Sequence, residues 1–293
     1  MGLTFSQLRR RSSQNTTQHH LVVTPPAQGG GSILTSSSEK VFTVLNDYLS
    51  FENPLPLDLA VESLLKLLPA DAPDSEEIFR FGEDCFEIAE MLSYQSLSHS
   101  RLAQLLEALG LSSHFTSLTS ENGRVWHFEL LRRSMQNFCA GPEIDHVERY
   151  VNYNSFLAHL YDHRIFPTDP TYALWAMRAA FEDDRKHESR SLRSSWVLGA
   201  AQWILWNGQS LFKLVVEPAL FDVTLETWPA SNREAWEAGS LYVGTGGFSL
   251  ERWRFWKTGF GQAADDDGLS EECRDISQRA MTLMEMFEKN MMF

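Results

Sequence analysis

Cysteine is scarce in this chain. Only Cys85, Cys139 and Cys273 occur, far apart and with no CxxC pair. That excludes a zinc ribbon and a thioredoxin-type motif. Three scattered cysteines behind no signal peptide fit a reducing, intracellular compartment, with each thiol a small buried hydrophobe. No period-2 alternation of useful length is present, so a sheet is not expected. No uninterrupted apolar run reaches the length of a membrane span. The most apolar stretch, Trp196 to Val216, is broken by Gln202, Asn207, Gly208, Gln209 and Lys213. It reads instead as the central helix of a core. There is no G-x-S-x-G elbow and no internal repeat of fixed period. Gly244-Thr-Gly-Gly-Phe248 is glycine-rich, but no Lys-Ser or Lys-Thr follows it and no strand precedes it. It is neither a P-loop nor a dinucleotide fingerprint, and it reads as a turn between helices.

Acid is also missing, but only locally. Residues 1–38 contain Arg9, Arg10 and Arg11 and no Asp or Glu. The tail is therefore +3, and the rest of the chain is −17 within a total of −14. An acidic body repels phosphate backbones, so nucleic acid is not an expected partner.

The tail opens Met1-Gly2-Leu3-Thr4-Phe5-Ser6, which fits the M-G-x-x-x-[ST] pattern of N-myristoylation at Gly2. Its first eight residues, MGLTFSQL, resemble the N-termini of myristoylated Arf-type small GTPases. One acyl chain alone gives only marginal membrane affinity, about 10⁴ M⁻¹. Arg9, Arg10 and Arg11 would add about 1 kcal/mol each near an anionic leaflet. Residues 12–38 are rich in Ser, Thr, Gln, Gly and Pro, the composition of a flexible linker. The same acid-free leader also fits a mitochondrial transit peptide, and plain disorder is the third reading.

From about residue 38 the signals are helical. Apolar residues recur at helical spacing, with stops at Pro54, Pro69 and Gly110, which predicts helices over 38–53, 57–68, 74–94 and 98–110. Ser38 and Asp74 are read as N-caps. Further helices are expected near 124–138, 145–164, 170–184, 190–207, 231–242, 248–260 and 269–290. The expected fold is all-α. It is an irregular multi-helix bundle or stacked α–α array of roughly ten helices, a single domain over 38–293 behind a disordered tail over 1–37.

Few residues suggest chemistry. His159 and His163 stand four apart on a helix and could face a metal together, but the intervening Leu-Tyr-Asp lacks the glutamate of a zinc protease. They are weak candidates, and no metal or cofactor is expected. Glu83-Asp84 with Glu87, and Asn152 to Ser155, resemble the metal motifs of class I terpene cyclases imperfectly, because His159 stands where a glutamate belongs. A solvated acidic helix face explains the first group more simply. Trp253, Trp256 and Phe260 share a helical face flanked by Arg252 and Arg254, and Trp196, Trp203 and Trp206 form a second stripe. Such stripes are usually core. If exposed, Trp203, Trp206, Trp253 and Trp256 become pocket or partner residues.

Five runs carry a wider likeness. They are Tyr150-Val-Asn-Tyr-Asn-Ser-Phe-Leu-Ala, Ala173-Leu-Trp-Ala-Met-Arg-Ala-Ala-Phe-Glu182, and Ala200-Ala-Gln-Trp-Ile204 with Gly208-Gln-Ser-Leu-Phe212 and Trp253-Arg-Phe-Trp256 after it. In these the chain resembles a fungal all-helical family catalogued only as a domain of unknown function, number thirty-six thirty-two. The resemblance implies a helical fold and a fungal source, and no activity. The resulting expectation is a non-enzymatic interaction module with a protein partner, cytoplasmic or peripherally membrane-bound through Gly2. The competing expectation is a small-molecule-binding or cyclase-like enzyme with an aromatic pocket.

Overall fold

The computed structural model describes residues 35–70, 72, 74–118, 125–127, 141–165, 170–217 and 236–291. The tail, with Gly2, Arg9, Arg10 and Arg11, lies outside them, as does Cys139. Among the described residues there are nine helices and one short hairpin. The helices are α1 (Thr35–Leu49), α2 (Leu57–Leu67), α3 (Glu76–Met91), α4 (Ser98–Leu109), α5 (Val147–Asp162), α6 (Thr171–Phe181), α7 (Arg190–Val216), α8 (Leu250–Asp265) and α9 (Glu271–Met291). The all-α expectation holds.

Contacts group the chain into two compact units, one of Met1–Ala89 with Ser100–Ala140 and the other of Glu90–His99 with Gly141–Phe293. In the first unit α1 buries Val41, Phe42, Leu45 and Tyr48, the face that the helical spacing selects. Its C-terminus is closed by Arg101, whose guanidinium bonds the carbonyl oxygens of Tyr48 and Ser50 and lies 4.7 Å from the Tyr48 ring centroid. A cation there also suits the negative end of the helix dipole. The Tyr48 hydroxyl donates back to the Arg101 carbonyl at 2.9 Å. On α3, Ser75 rather than Asp74 caps the helix, accepting the Ile78 N–H at 3.4 Å.

Two local expectations fail. Val125–His127 pairs antiparallel with Thr116–Leu118 where a helix was expected to start. Three paired residues are too few to leave an alternation in the sequence. The expected helix over 231–242 is described only from Trp236, and from Glu237 to Ser249 the chain runs as turns and bends.

The second unit is built around α7. Its polar residues are spread over all faces, and 15 of its 27 residues are buried, so it packs against α5, α6, α8 and α9. The helix runs past the expected end at 207 because Gly208 is an internal contact and not a terminus. A Cβ there would lie 2.5 Å from the Phe287 ring of α9. Ser189 caps the start, accepting the Leu192 N–H. Several polar side chains inside the unit are paired, while Trp253 Nε1, Tyr242 Oη and Ser277 Oγ are buried without a hydrogen-bond partner among the described residues. The Asn207 amide donates to the Ala158 carbonyl at 2.7 Å, and the Trp203 indole N–H donates to Asn154 Oδ1 at 3.0 Å. Cys85 and Cys273 are buried free thiols, and burial raises the pKa of both.

The acidic face of α3 carries one perturbed group. Burial first, then the charges of Glu87 and Glu83, raise Asp84 from the usual carboxylate value to about 7. A carboxyl whose folded pKa is raised weakens the fold as pH climbs from the unfolded value to the folded one, and the loss is complete above that window. Asp84→Asn should therefore raise the urea-unfolding stability at pH 8 by about 1–2 kcal/mol, a discounted figure because the group keeps some solvent. The advantage should shrink steadily as pH falls toward 4. Equal stability of the two proteins at pH 8 would contradict this reading.

Candidate functional site

Two features of the second unit gather charged residues, a buried knot and an open cleft beside it. The knot is Glu182, directly after α6, with Arg252 in the first turn of α8; both are 0% exposed. The guanidinium meets the carboxylate through two bonds, Nε to Oε1 at 2.7 Å and Nη2 to Oε2 at 2.9 Å. Its other three N–H groups donate to the carbonyls of Trp236 (2.9 Å), Glu237 (2.8 Å) and Gly247 (3.1 Å). The carboxylate takes two further donors, Trp256 Nε1 at 2.7 Å and the Gly239 N–H at 2.7 Å. All five guanidinium N–H groups are thus engaged, and each carboxylate oxygen accepts twice. A buried ion pair tolerates its desolvation only with such complete pairing. Gly239 is required for the approach, since a Cβ would lie 2.5 Å from the Glu182 Cβ. With every polar atom occupied, the knot is a structural clamp on the segment from Trp236 to Gly247.

The cleft opens next to the clamp, from the residues that flank Glu182. It holds about 290 Å³. Phe181, Trp196, Val197, Leu241, Phe255 and Ala263 make it apolar, and six charged side chains join the lining: Asp183, Asp184, Arg185, Lys186, Arg193 and Asp266. Arg185 lies over Trp196, 3.7 Å from the ring centroid, and binds Asp183 at 3.1 Å and Glu188 at 2.8 Å. Glu188 also takes the Trp196 indole N–H at 2.8 Å, so the ring is held from two sides. Arg193 binds Asp266 at 2.6 Å. Among the described residues Asp184 and Lys186 enter no ion pair; both are exposed on the rim.

The four tryptophans named from the sequence do not gather in this cleft. Trp203, Trp253 and Trp256 are at most 1% exposed. They bond Asn154, pack on Phe212 and bond Glu182, respectively. Trp206 is 43% exposed and lies against the His159 ring at 4.2 Å. His159 is buried, with its ring 6.4 Å from that of His99. Burial chiefly, then the charges of His99 and His163, lowers its pKa to about 4, so it is neutral at pH 7. A neutral imidazole is a fit ligand. Yet among the described residues no group of three His, Cys, Asp or Glu side chains is placed to hold a metal. The polar groups of Asn152 to Ser155 are bound internally. Asn152 pairs with the Tyr94 N–H and the Glu90 carbonyl, and Ser155 faces His99 at 3.1 Å.

The sequence offered little to find the clamp. Glu182 and Arg252 are 70 positions apart, with no motif around either. The one signal was placement: Arg252 begins an otherwise aromatic face, where an unpaired cation would be expensive to bury.

Residues 83–260 match the model of a family described as a protein of unknown function, DUF3632, and the chain belongs to that family, as its helical runs suggested. The matched segment contains Glu182, Arg252 and Trp256. No curated protein and no solved structure matches the chain.

Removing one member of the clamp strands the other. Glu182→Gln and Arg252→Met should each destabilise the chain by about 3–5 kcal/mol in urea unfolding. The pair Glu182→Leu with Arg252→Met should cost clearly less than the sum of the single changes, because no charge is left buried. Additive losses would show that the two residues act separately.

Proposed function

We infer that the chain is a non-enzymatic helical interaction module of the cytoplasm. In this reading an acyl chain on Gly2, reinforced by Arg9, Arg10 and Arg11, tethers it peripherally to a membrane, and a protein partner docks on its second unit. The observation behind the docking surface is Trp206. A tryptophan 43% exposed on the rigid central helix is the kind of residue that anchors protein interfaces. It stands at one end of an exposed line with Gln209, Lys213 and Val216 along α7. The tether rests on the motif at Met1–Ser6 and on the opposite charges of tail and body. An acidic body is repelled by an anionic leaflet, so attachment belongs to the tail. The described part of the chain has no helix long and apolar enough to cross a membrane.

A second reading, a small-molecule-binding protein or cyclase-like enzyme of fungal metabolism, has the aromatic cleft in its favour.

The tether is tested on the full chain made in a eukaryotic host. The wild type should carry a myristoyl group by mass spectrometry and sediment with membranes, and Gly2→Ala should move to the soluble fraction. An unmodified or acetylated wild-type N-terminus would refute acylation, and mitochondrial signal from both proteins would instead support the transit-peptide reading. The docking surface predicts a discrete crosslinked species when a photoreactive residue replaces Trp206. No adduct there would remove the surface from the proposal.

A further inference from the structure

We propose that the cleft beside the clamp binds a small zwitterion with an apolar or aromatic body, the chemistry of a free bulky amino acid. Size comes first. A volume of about 290 Å³ lies at the bottom of the usual range for ligand sites, and it suits one amino-acid-sized molecule better than a larger metabolite. The walls decide the body of the ligand. Phe181, Trp196, Phe255 and Leu241 offer aromatic faces and an aliphatic edge, and Trp196 is fixed by Arg185 and Glu188, so little side-chain ordering accompanies binding.

The rim decides the charge. Four of the six charged lining groups are paired, Asp183 with Arg185, which also binds Glu188, and Arg193 with Asp266. Among the described residues one acid and one base of the lining, Asp184 and Lys186, two positions apart, enter no ion pair. The Lys186 backbone N–H bonds Asp184 Oδ1 at 3.2 Å, which fixes the turn, and both side chains are exposed in the cleft lining. A ligand with only a carboxylate would meet Lys186 but also the repelling Asp184. A ligand with only an amine would meet the reverse. A zwitterion satisfies both. Because both groups are exposed, each contributes modestly and the apolar body carries most of the affinity, on the order of 0.1–1 mM in dissociation constant.

The proposal deepens the small-molecule reading and does not depend on the tether, so failure at Gly2 leaves it untouched. Conversely, occupancy of the cleft by an apolar ligand that lacks both charges would keep the small-molecule reading and overturn this assignment. The probes are L-phenylalanine, phenethylamine and 3-phenylpropionate, titrated into the full chain and followed by isothermal calorimetry and tryptophan fluorescence. L-Phenylalanine should bind saturably, and each truncated probe about three- to fivefold more weakly. Asp184→Asn should bring L-phenylalanine down to the level of 3-phenylpropionate, and Lys186→Gln should bring it down to the level of phenethylamine. Both positions are exposed, so the fold should persist. Ala180→Trp, at a half-buried lining position, should abolish binding while the circular dichroism stays native. No saturable binding by L-phenylalanine, equal affinity for all three probes, or unchanged binding in Ala180→Trp with native dichroism would each overturn the assignment.

Discussion

The second unit depends on one buried contact, the Glu182–Arg252 ion pair. Three pieces of chain meet there: the end of α6, the first turn of α8, and the segment from Trp236 to Gly247 that has no helix of its own. A non-helical segment must place its backbone polar groups somewhere. Here three of its carbonyls lie on the guanidinium, the Gly239 N–H lies on the carboxylate, and the Leu241 N–H bonds the Glu182 carbonyl at 2.8 Å. The Gly247 N–H returns to the Trp236 carbonyl at 2.7 Å and closes the loop. An apolar pair of similar shape could fill the same space, but it would leave those carbonyls without donors. The loop's carbonyls therefore depend on the guanidinium for their donors.

That arrangement also sets the cleft. Phe181 and Asp183 flank Glu182, and Leu241 follows the clamped Gly239, so the lining inherits its position from the clamp. Function, on this account, is left to the groups the core does not use. The buried tryptophans, asparagines and His159 are committed to packing and hydrogen bonds. Trp206, Asp184 and Lys186 are instead exposed.

How much of this was legible beforehand depended on range. Helices came from local spacing and punctuation, and all nine described ones lie within a few residues of their expected bounds except α7. There Gly208 read as an end, whereas the helix admits Phe287 at that point and continues to Val216. The hairpin at Thr116–Leu118 and Val125–His127 was invisible because three-residue strands carry no period. Aromatic stripes signalled core at Trp203, Trp253 and Trp256 but gave no warning that Trp206, on the same helix as Trp203, would face outward against His159. The clamp and the cleft were beyond reach for a different reason. Each joins residues tens of positions apart, and only the folded chain brings Asp183 to Lys186 against α8.

The Glu182–Arg252 pair anchors the segment from Trp236 to Gly247 to its unit, although most of that segment is exposed and almost none of it is regular structure. Amide hydrogen exchange of the wild-type chain tests this most directly. The N–H groups of Gly239, Leu241 and Gly247 should be protected to nearly the same degree as those in the middle of α8. Exchange of those three amides at the rate of an open loop, while α8 stays protected, would contradict the account.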